Sequence, residues 1–315
     1  MTTREELHVI LGTGPLGQWT MRELLLMDKK VRMVNRSGYL RELPEGVEVM
    51  AGDVRDVSEV IRLTKGAAAV YQCAQPAYHD WVESFVPMQQ SIVAGAAANG
   101  ARLIVAENLY MYGMPTDMPF IETTANRAHT RKGKVRQLMT EALELAHTEG
   151  KLQVARVRGS DFWGPEDYAG TPFIFGPILA GKRATILGDR HRLHTFTYVP
   201  DFGRALAIAG TRDQSFGEIW HVPSNPPVTQ LELCQLIAAQ LGTPVATRLA
   251  ETWLIRLLGV WSPLMREMVE MMYQWKQSFV MDSSKFQQAF RMLPTPIDTA
   301  IANTLSWYRD SRSQF

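Results

Sequence analysis

The sequence predicts an α/β protein, a doubly wound parallel sheet carrying a smaller C-terminal lobe. Three observations lead there. Apolar runs rich in β-branched residues recur at 7–11, 31–35, 47–50, 67–72, 102–106 and 152–158, with segments of helical period between them, the order of a parallel sheet whose crossovers are helices. A glycine turn, Gly12-Thr13-Gly14-Pro15-Leu16-Gly17, joins the first run to the first helical segment. Beyond Gly164-Pro165 the chain breaks into shorter segments punctuated by Pro and Gly, which places a second lobe there.

After the glycine turn, Leu16, Trp19, Glu23, Leu24 and Met27 repeat at helical spacing, and 87–99 and 134–148 read as two further crossover helices. A strand at 184–187, a helix after Asp201 and a strand at 218–222 follow. Helix 229–241 opens on Thr229 with Glu232 three residues on, a capping box. Residues 1–160, rejoined by 195–222, are expected to form the sheet domain, and 161–194 with 223–315 the lobe. In 264–275, Met265, Met268, Met271, Met272 and Trp275 fall near helical spacing. They serve either as core or as a pliable surface closing over a ligand. Segment 251–261, with Trp253, Leu254, Leu257, Leu258 and Trp261, needs cover from its own lobe, a second copy or a membrane surface.

Of the 315 residues, 46% are hydrophobic and 21% charged, and the net charge is +1. That balance fits a globular protein and gives no basic surface for nucleic acid. Cys73 and Cys234, the two cysteines, stand far apart without His or Cys neighbours; they read as apolar packing residues in a reducing compartment, with no metal site. No apolar run reaches the roughly 18 residues of a membrane span. The expected setting is cytoplasmic, with no membrane partner.

Each glycine of the turn has a reason in a dinucleotide site. Gly12 permits the strand-to-helix turn, Gly14 lets backbone approach a pyrophosphate, and Gly17 lets the helix pack on the strand. The helix N-terminus supplies N–H groups and positive dipole to the phosphates. The sheet is thus of the Rossmann type, with Thr13, Pro15 and Leu16 completing the phosphate loop. The second strand ends in Asn35-Arg36-Ser37 where an NAD-binding chain would carry a carboxylate for the ribose 2′-hydroxyl. Arg36 can instead pair with a 2′-phosphate, so NADP is expected over NAD; a solvated arginine is the plainer alternative. Asp53 and Val54 after the third strand face an adenine, or form only a turn. Ala74 and Gln75 after the fourth let backbone reach the middle of the cofactor.

These motifs, with Tyr110-Met111-Tyr112-Gly113, Arg158-Gly159-Ser160-Asp161-Phe162-Trp163-Gly164-Pro165, Phe196-Thr197-Tyr198-Val199-Pro200-Asp201 and Asp282-Ser283-Ser284-Lys285, resemble the extended short-chain dehydrogenase/reductase superfamily of the NAD-dependent epimerase/dehydratase type, in particular its atypical members. The resemblance implies a catalytic serine four positions before Tyr112, where this chain has Asn108, still a hydrogen-bond donor. It also implies a Tyr-x-x-x-Lys helix, and the matching stretch, Ala128 to Arg136, holds no tyrosine. Two registers fit, Thr130 with Lys134 or Lys132 with Arg136, since each pair shares a helical face. Lys134 or Arg136 would hold the nicotinamide ribose, and Tyr110, Tyr112 or Lys132 would exchange the proton. Tyr78, His79, Asp161, Trp163 and His194 are candidate substrate contacts, each equally readable as packing. The resemblance further implies a homodimer paired through crossover helices.

The expected function is an NADP-dependent oxidoreductase or epimerase acting on a small organic carbonyl, hydroxyl or nucleotide-sugar-like substrate. The alternative is a catalytically silent NADP(H)-binding redox sensor, as in the NmrA-type proteins that such atypical members resemble. Hydrolase or transferase chemistry lacks its motifs, since no Gly-x-Ser-x-Gly, HExxH or Walker pattern occurs.

Overall fold

A computed structural model describes residues 6–167 and 171–312. Seven parallel strands form the central sheet: β1 (Leu7–Leu11), β2 (Lys30–Asn35), β3 (Val47–Ala51), β4 (Ala67–Gln72), β5 (Arg102–Glu107), β6 (Val154–Arg158) and β7 (Ile219–His221). Their order is β3-β2-β1-β4-β5-β6-β7, so the winding reverses between β1 and β4, where a crevice opens beyond the strand ends. The helices are α1 (Pro15–Leu26), α2 (Val57–Leu63), α3 (Trp81–Ala98), α4 (Arg131–Thr148), α5 (Thr171–Leu179), α6 (Val199–Thr211), α7 (Gln230–Leu241), α8 (Thr252–Leu258) and α9 (Pro263–Met268), with two more at 284–290 and 297–312.

The strands are predominantly apolar because helices cover both faces of the sheet. Val9, Leu11, Val70, Leu103 and Val105 pack with Trp81 and Phe85 of α3 and Val135 and Met139 of α4. On the opposite face, Ile10, Tyr71, Ile104 and Val157 meet Met21 and Leu24 of α1 and Phe202 and Leu206 of α6. A smaller core gathers Phe175, Leu233, Ile237 and Ile301. There α7 carries the full capping box, with Glu232 N donating to Thr229 Oγ1 and Thr229 N to the Glu232 carboxylate.

Among the helices between β1 and β6, three differ from the sequence expectation. Helix α3 starts at Trp81 rather than at 87 and runs through Pro87. Burying Trp81 and Phe85 contributes about 1.5–3 kcal/mol each, enough to offset the roughly 3 kcal/mol cost of an interior proline. Helix α4 starts at Arg131 rather than 134 because Thr130 caps it, its Oγ1 accepting from Gly133 N. Helix α2 was not expected; its N-cap is Asp56, which accepts from Ser58 N and Glu59 N, and its seven residues are too few to display a period.

The Met-rich segment forms α9 and a 3₁₀ helix, Val269–Trp275, with Met271 and Met272 buried. Helix α8 turns Ile255 inward, but Trp253 and Trp261 are 63% and 76% exposed and Leu257 and Leu258 also face solvent. Their own lobe therefore does not cover them. Among the described residues no helix is long and apolar enough to cross a membrane.

Candidate active site

A cavity of about 980 Å³ runs from the glycine turn along the crevice and under the Met-rich segment. Its first half is largely backbone. Gly12 has φ +116°, and a Cβ there would stand 2.7 Å from Ala74 N; one on Gly17 would strike the Gly12 carbonyl oxygen. The fold itself demands these two glycines. Gly14 is different, because a Cβ on it would meet nothing within 4 Å. Packing gives no reason for that glycine, while a ligand lying against the loop does. Gly14 is also the N-cap of α1 and no side chain caps that terminus, so the leading N–H groups remain available to an anion. The residues present therefore fit a dinucleotide.

Thr13, Pro15, Leu16, Asn35, Arg36, Asp53, Val54, Ala74 and Gln75 line this half as the sequence suggests, whereas Gly17 and Ser37 stand outside its wall. The Asn35 amide is committed to its own loop. Its Oδ1 accepts from Ser37 N, Ser37 Oγ and Gly38 N, and its Nδ2 donates to Thr13 Oγ1 and Tyr39 O. Asp53 is clasped by Arg55 through both carboxylate oxygens, which holds its carboxyl below the usual range. Arg36, exposed, makes no hydrogen bond or ion pair among the described residues.

At the ends of β4 and β5 the wall becomes polar and aromatic. Asn108 Oδ1 accepts from Tyr110 N at 3.1 Å and from Arg136 Nε at 3.2 Å, which leaves its amide N–H pair as the outward end. Arg136 lies over Phe85, 4.9 Å from the ring, and burial pushes its guanidinium down to about 10, so it stays charged at neutral pH. Tyr78 and Tyr110 line the cavity close to one another, with Gln274 near Tyr110. Gln274 Nε2 donates to Met271 O at 3.5 Å, and its Oε1 is buried without a partner. Tyr78 and Tyr110 each carry a hydroxyl proton at the cavity wall. Burial raises both phenols, keeping them protonated.

The open register of α4 is decided by packing. Lys132 and Arg136 turn inward, whereas Thr130 is spent as the cap and Lys134 is exposed outside the cavity. Lys132 is fully buried but does not line the cavity; its ammonium pairs with Glu267 and lies 3.4 Å from Glu270, both on the Met-rich segment, and 4.5 Å from the Tyr78 ring centroid. It is an anchor for that segment. Three further expected contacts lie elsewhere. Tyr112 faces away, its hydroxyl 2.7 Å from His221 Nε2. His79 is exposed beside Asp80. His194 is buried behind the wall, stacked on Trp275 at 4.1 Å and bonded to Asp161 Oδ2.

Tyr78, Asp161 and Trp163 do line the cavity. Sequence reasoning missed Phe196, Leu233 and Gln274 as wall residues; they come from separate elements and share no local motif. In the Met-rich segment Met271 and Met272 are buried, and Met268, Met271, Met272 and Trp275 line the cavity.

The model of the NAD dependent epimerase/dehydratase family matches residues 9–222. Among curated proteins, the chain is 23% identical over 214 residues to a 3beta-hydroxysteroid-dehydrogenase/decarboxylase isoform 2 of Arabidopsis thaliana, covering 62% of this chain and 38% of that protein. It is 23% identical over 257 residues to short-chain dehydrogenase/reductase family 42E member 1 of Danio rerio, covering 73% and 66%. The chain thus spans less than two thirds of the length of either relative. Among solved structures, an epimerase from Methanothermobacter thermautotrophicus superposes with TM-score 0.82 at 17% identity, covering 98% of this chain and 94% of that one. A dTDP-glucose 4,6-dehydratase from Bacillus anthracis, solved with NAD, gives 0.81 at 14% identity over 98% of both chains. These likenesses establish a shared fold, and the family match spans well over half of the sequence. The chain belongs to the NAD dependent epimerase/dehydratase family.

Proposed function

We propose that the protein is an NADP-dependent oxidoreductase acting on a carbonyl or hydroxyl group of a small organic substrate. The observation that carries this reading is the continuity of one cavity from the phosphate loop to Asn108, Arg136 and the Tyr110–Tyr78 pair. Bound reduced nicotinamide supplies a hydride to a carbonyl carbon. Gly14 and the α1 N-terminus hold the pyrophosphate, and unpaired Arg36 meets the 2′-phosphate through charge-assisted hydrogen bonds. The Asn108 amide donates to the substrate oxygen. Arg136, fixed against Asn108, favours negative charge developing on that oxygen. The Tyr78 hydroxyl delivers the proton, with Tyr110 beside it in the cavity wall. In this reading the missing helix tyrosine is replaced by one reaching in from the loop after β4.

The test follows NADPH and NADH side by side, by titration and by loss of reduced-nicotinamide absorbance with a panel of aldehydes and ketones. NADPH is expected to bind more tightly and to be oxidised. Tyr78→Phe is expected to lower kcat by about 10²–10⁴, the usual worth of a positioned acid, with NADPH affinity unchanged. Tight NADPH binding without turnover on any substrate would sink this reading and leave a cofactor-responsive regulator.

A further inference from the structure

The far half of the cavity is lined by Trp163, Phe175, Leu187, Phe196, Leu233 and Trp275. Met268, Met271 and Met272 close it from above, side chains that reshape around apolar ligands. The charges are distributed unevenly. Three cations line the cavity, Arg36, Arg55 and Arg136, and all belong to the cofactor half or its junction with the tyrosine pair. Among the described residues the far half offers no Lys or Arg; its one charged lining group is Asp161, an anion. A buried diphosphate needs cations or free N–H groups to offset its desolvation, and Asp161 adds repulsion. The α7 N-terminus nearby is already occupied by its own capping box. The lining keeps its apolar character toward solvent, since Leu264 lines the cavity while being 47% exposed.

From this distribution, and resting on the oxidoreductase reading above, we infer that the substrate is an uncharged, bulky apolar carbonyl or hydroxyl compound of aryl or fused-ring type rather than a nucleotide sugar. Its single polar group is the reacting oxygen, which reaches Asn108 and Tyr78, while the hydrocarbon body lies among the aromatic and methionine side chains. Asp161 is already held by His194 and needs nothing from such a ligand.

The probes are benzophenone and 2-decalone set against UDP-glucose and dTDP-glucose, titrated by calorimetry into the NADPH-loaded chain at several temperatures. The ketones are expected to bind with a negative heat-capacity change, the mark of apolar burial, and the nucleotide sugars to bind at least a hundredfold more weakly. Phe196→Ala is expected to raise the ketone Kd about tenfold, and Phe196→Leu to restore most of the affinity; unchanged NADPH affinity confirms that both variants fold. Tighter binding of either nucleotide sugar, or binding by none of the four probes, overturns the inference. Ketone binding without NADPH oxidation removes the oxidoreductase reading but leaves the apolar-ligand inference standing, so the two fail separately.

Discussion

The two halves of the cavity are made of different material. The cofactor half is backbone and glycine drawn largely from the turn after β1, and a single stretch of six residues announces it. The far half is side chain, assembled from α5, the strand at 184–187, α7 and the Met-rich segment, spread over about a hundred residues of sequence. On the proposed function, one half would recognise a fixed anion through N–H groups. The other recognises shape, and it is held in place by a few long-range ion pairs that are open to direct attack.

The largest expected effect comes from cutting that attachment. Lys132→Met leaves Glu267 and Glu270 facing an apolar site without their buried ammonium. Breaking a buried pair costs about 3–5 kcal/mol, and the lower end is expected because Arg131 stays 3.2 Å from Glu267. Denaturant unfolding and hydrogen exchange should show the loss concentrated at 263–275, with KM for substrate rising and NADPH affinity unchanged. If NADPH affinity falls in parallel, the two halves are a single unit and the contrast drawn above is wrong.

A pair of glycine variants probes the cofactor half. Gly17→Ala forces a methyl onto the Gly12 carbonyl and should cost about 1–3 kcal/mol of stability, as overpacking does. Gly14→Ala enters open space at φ −70° and should cost only about 0.5 kcal/mol as a poorer N-cap. Its effect belongs to the ligand, with NADPH affinity expected to drop tenfold or more. Equal stability losses from the two variants would mean that Gly14 is structural after all.

The same contrast explains what the sequence discloses. The strands were legible because a doubly covered parallel sheet writes continuous apolar runs, and the glycine turn because its work is local backbone geometry. The α4 register was not legible. Both Thr130/Lys134 and Lys132/Arg136 satisfy helical spacing, and what separates them is Glu267 and Glu270, more than 130 residues downstream. Tyr112 misled for a related reason: the short 3₁₀ helix Tyr110–Tyr112 turns its first residue into the cavity and its last toward His221, a distinction that spacing alone does not carry. Tyr78 stood out only as an aromatic after a strand, and its place in the cavity wall beside Tyr110 and Gln274 depends on segments remote in sequence.

The smallest effect separates the site from the framework both halves share. Burial holds the His221 imidazole down to about 3 and that of His8 to about 4, against about 6.5 in an unfolded chain. Below pH 6.5 the unfolded state therefore takes up protons that the native state refuses, and stability falls as pH drops toward those native values. The slope is on the order of 1 kcal/mol per pH unit for each histidine. Glu122 and Asp201, raised by burial, act in the opposite sense and offset part of the loss at the acid end. The groups proposed for chemistry do not titrate in this window, because Tyr78 and Tyr110 are pushed up and Arg136 only comes down to about 10. Carbonyl reduction by folded protein should then be level from pH 6 to 9 while urea midpoints decline from pH 6.5 to 4. A rate that fell through pH 7 would instead remove Tyr78 as the proton donor.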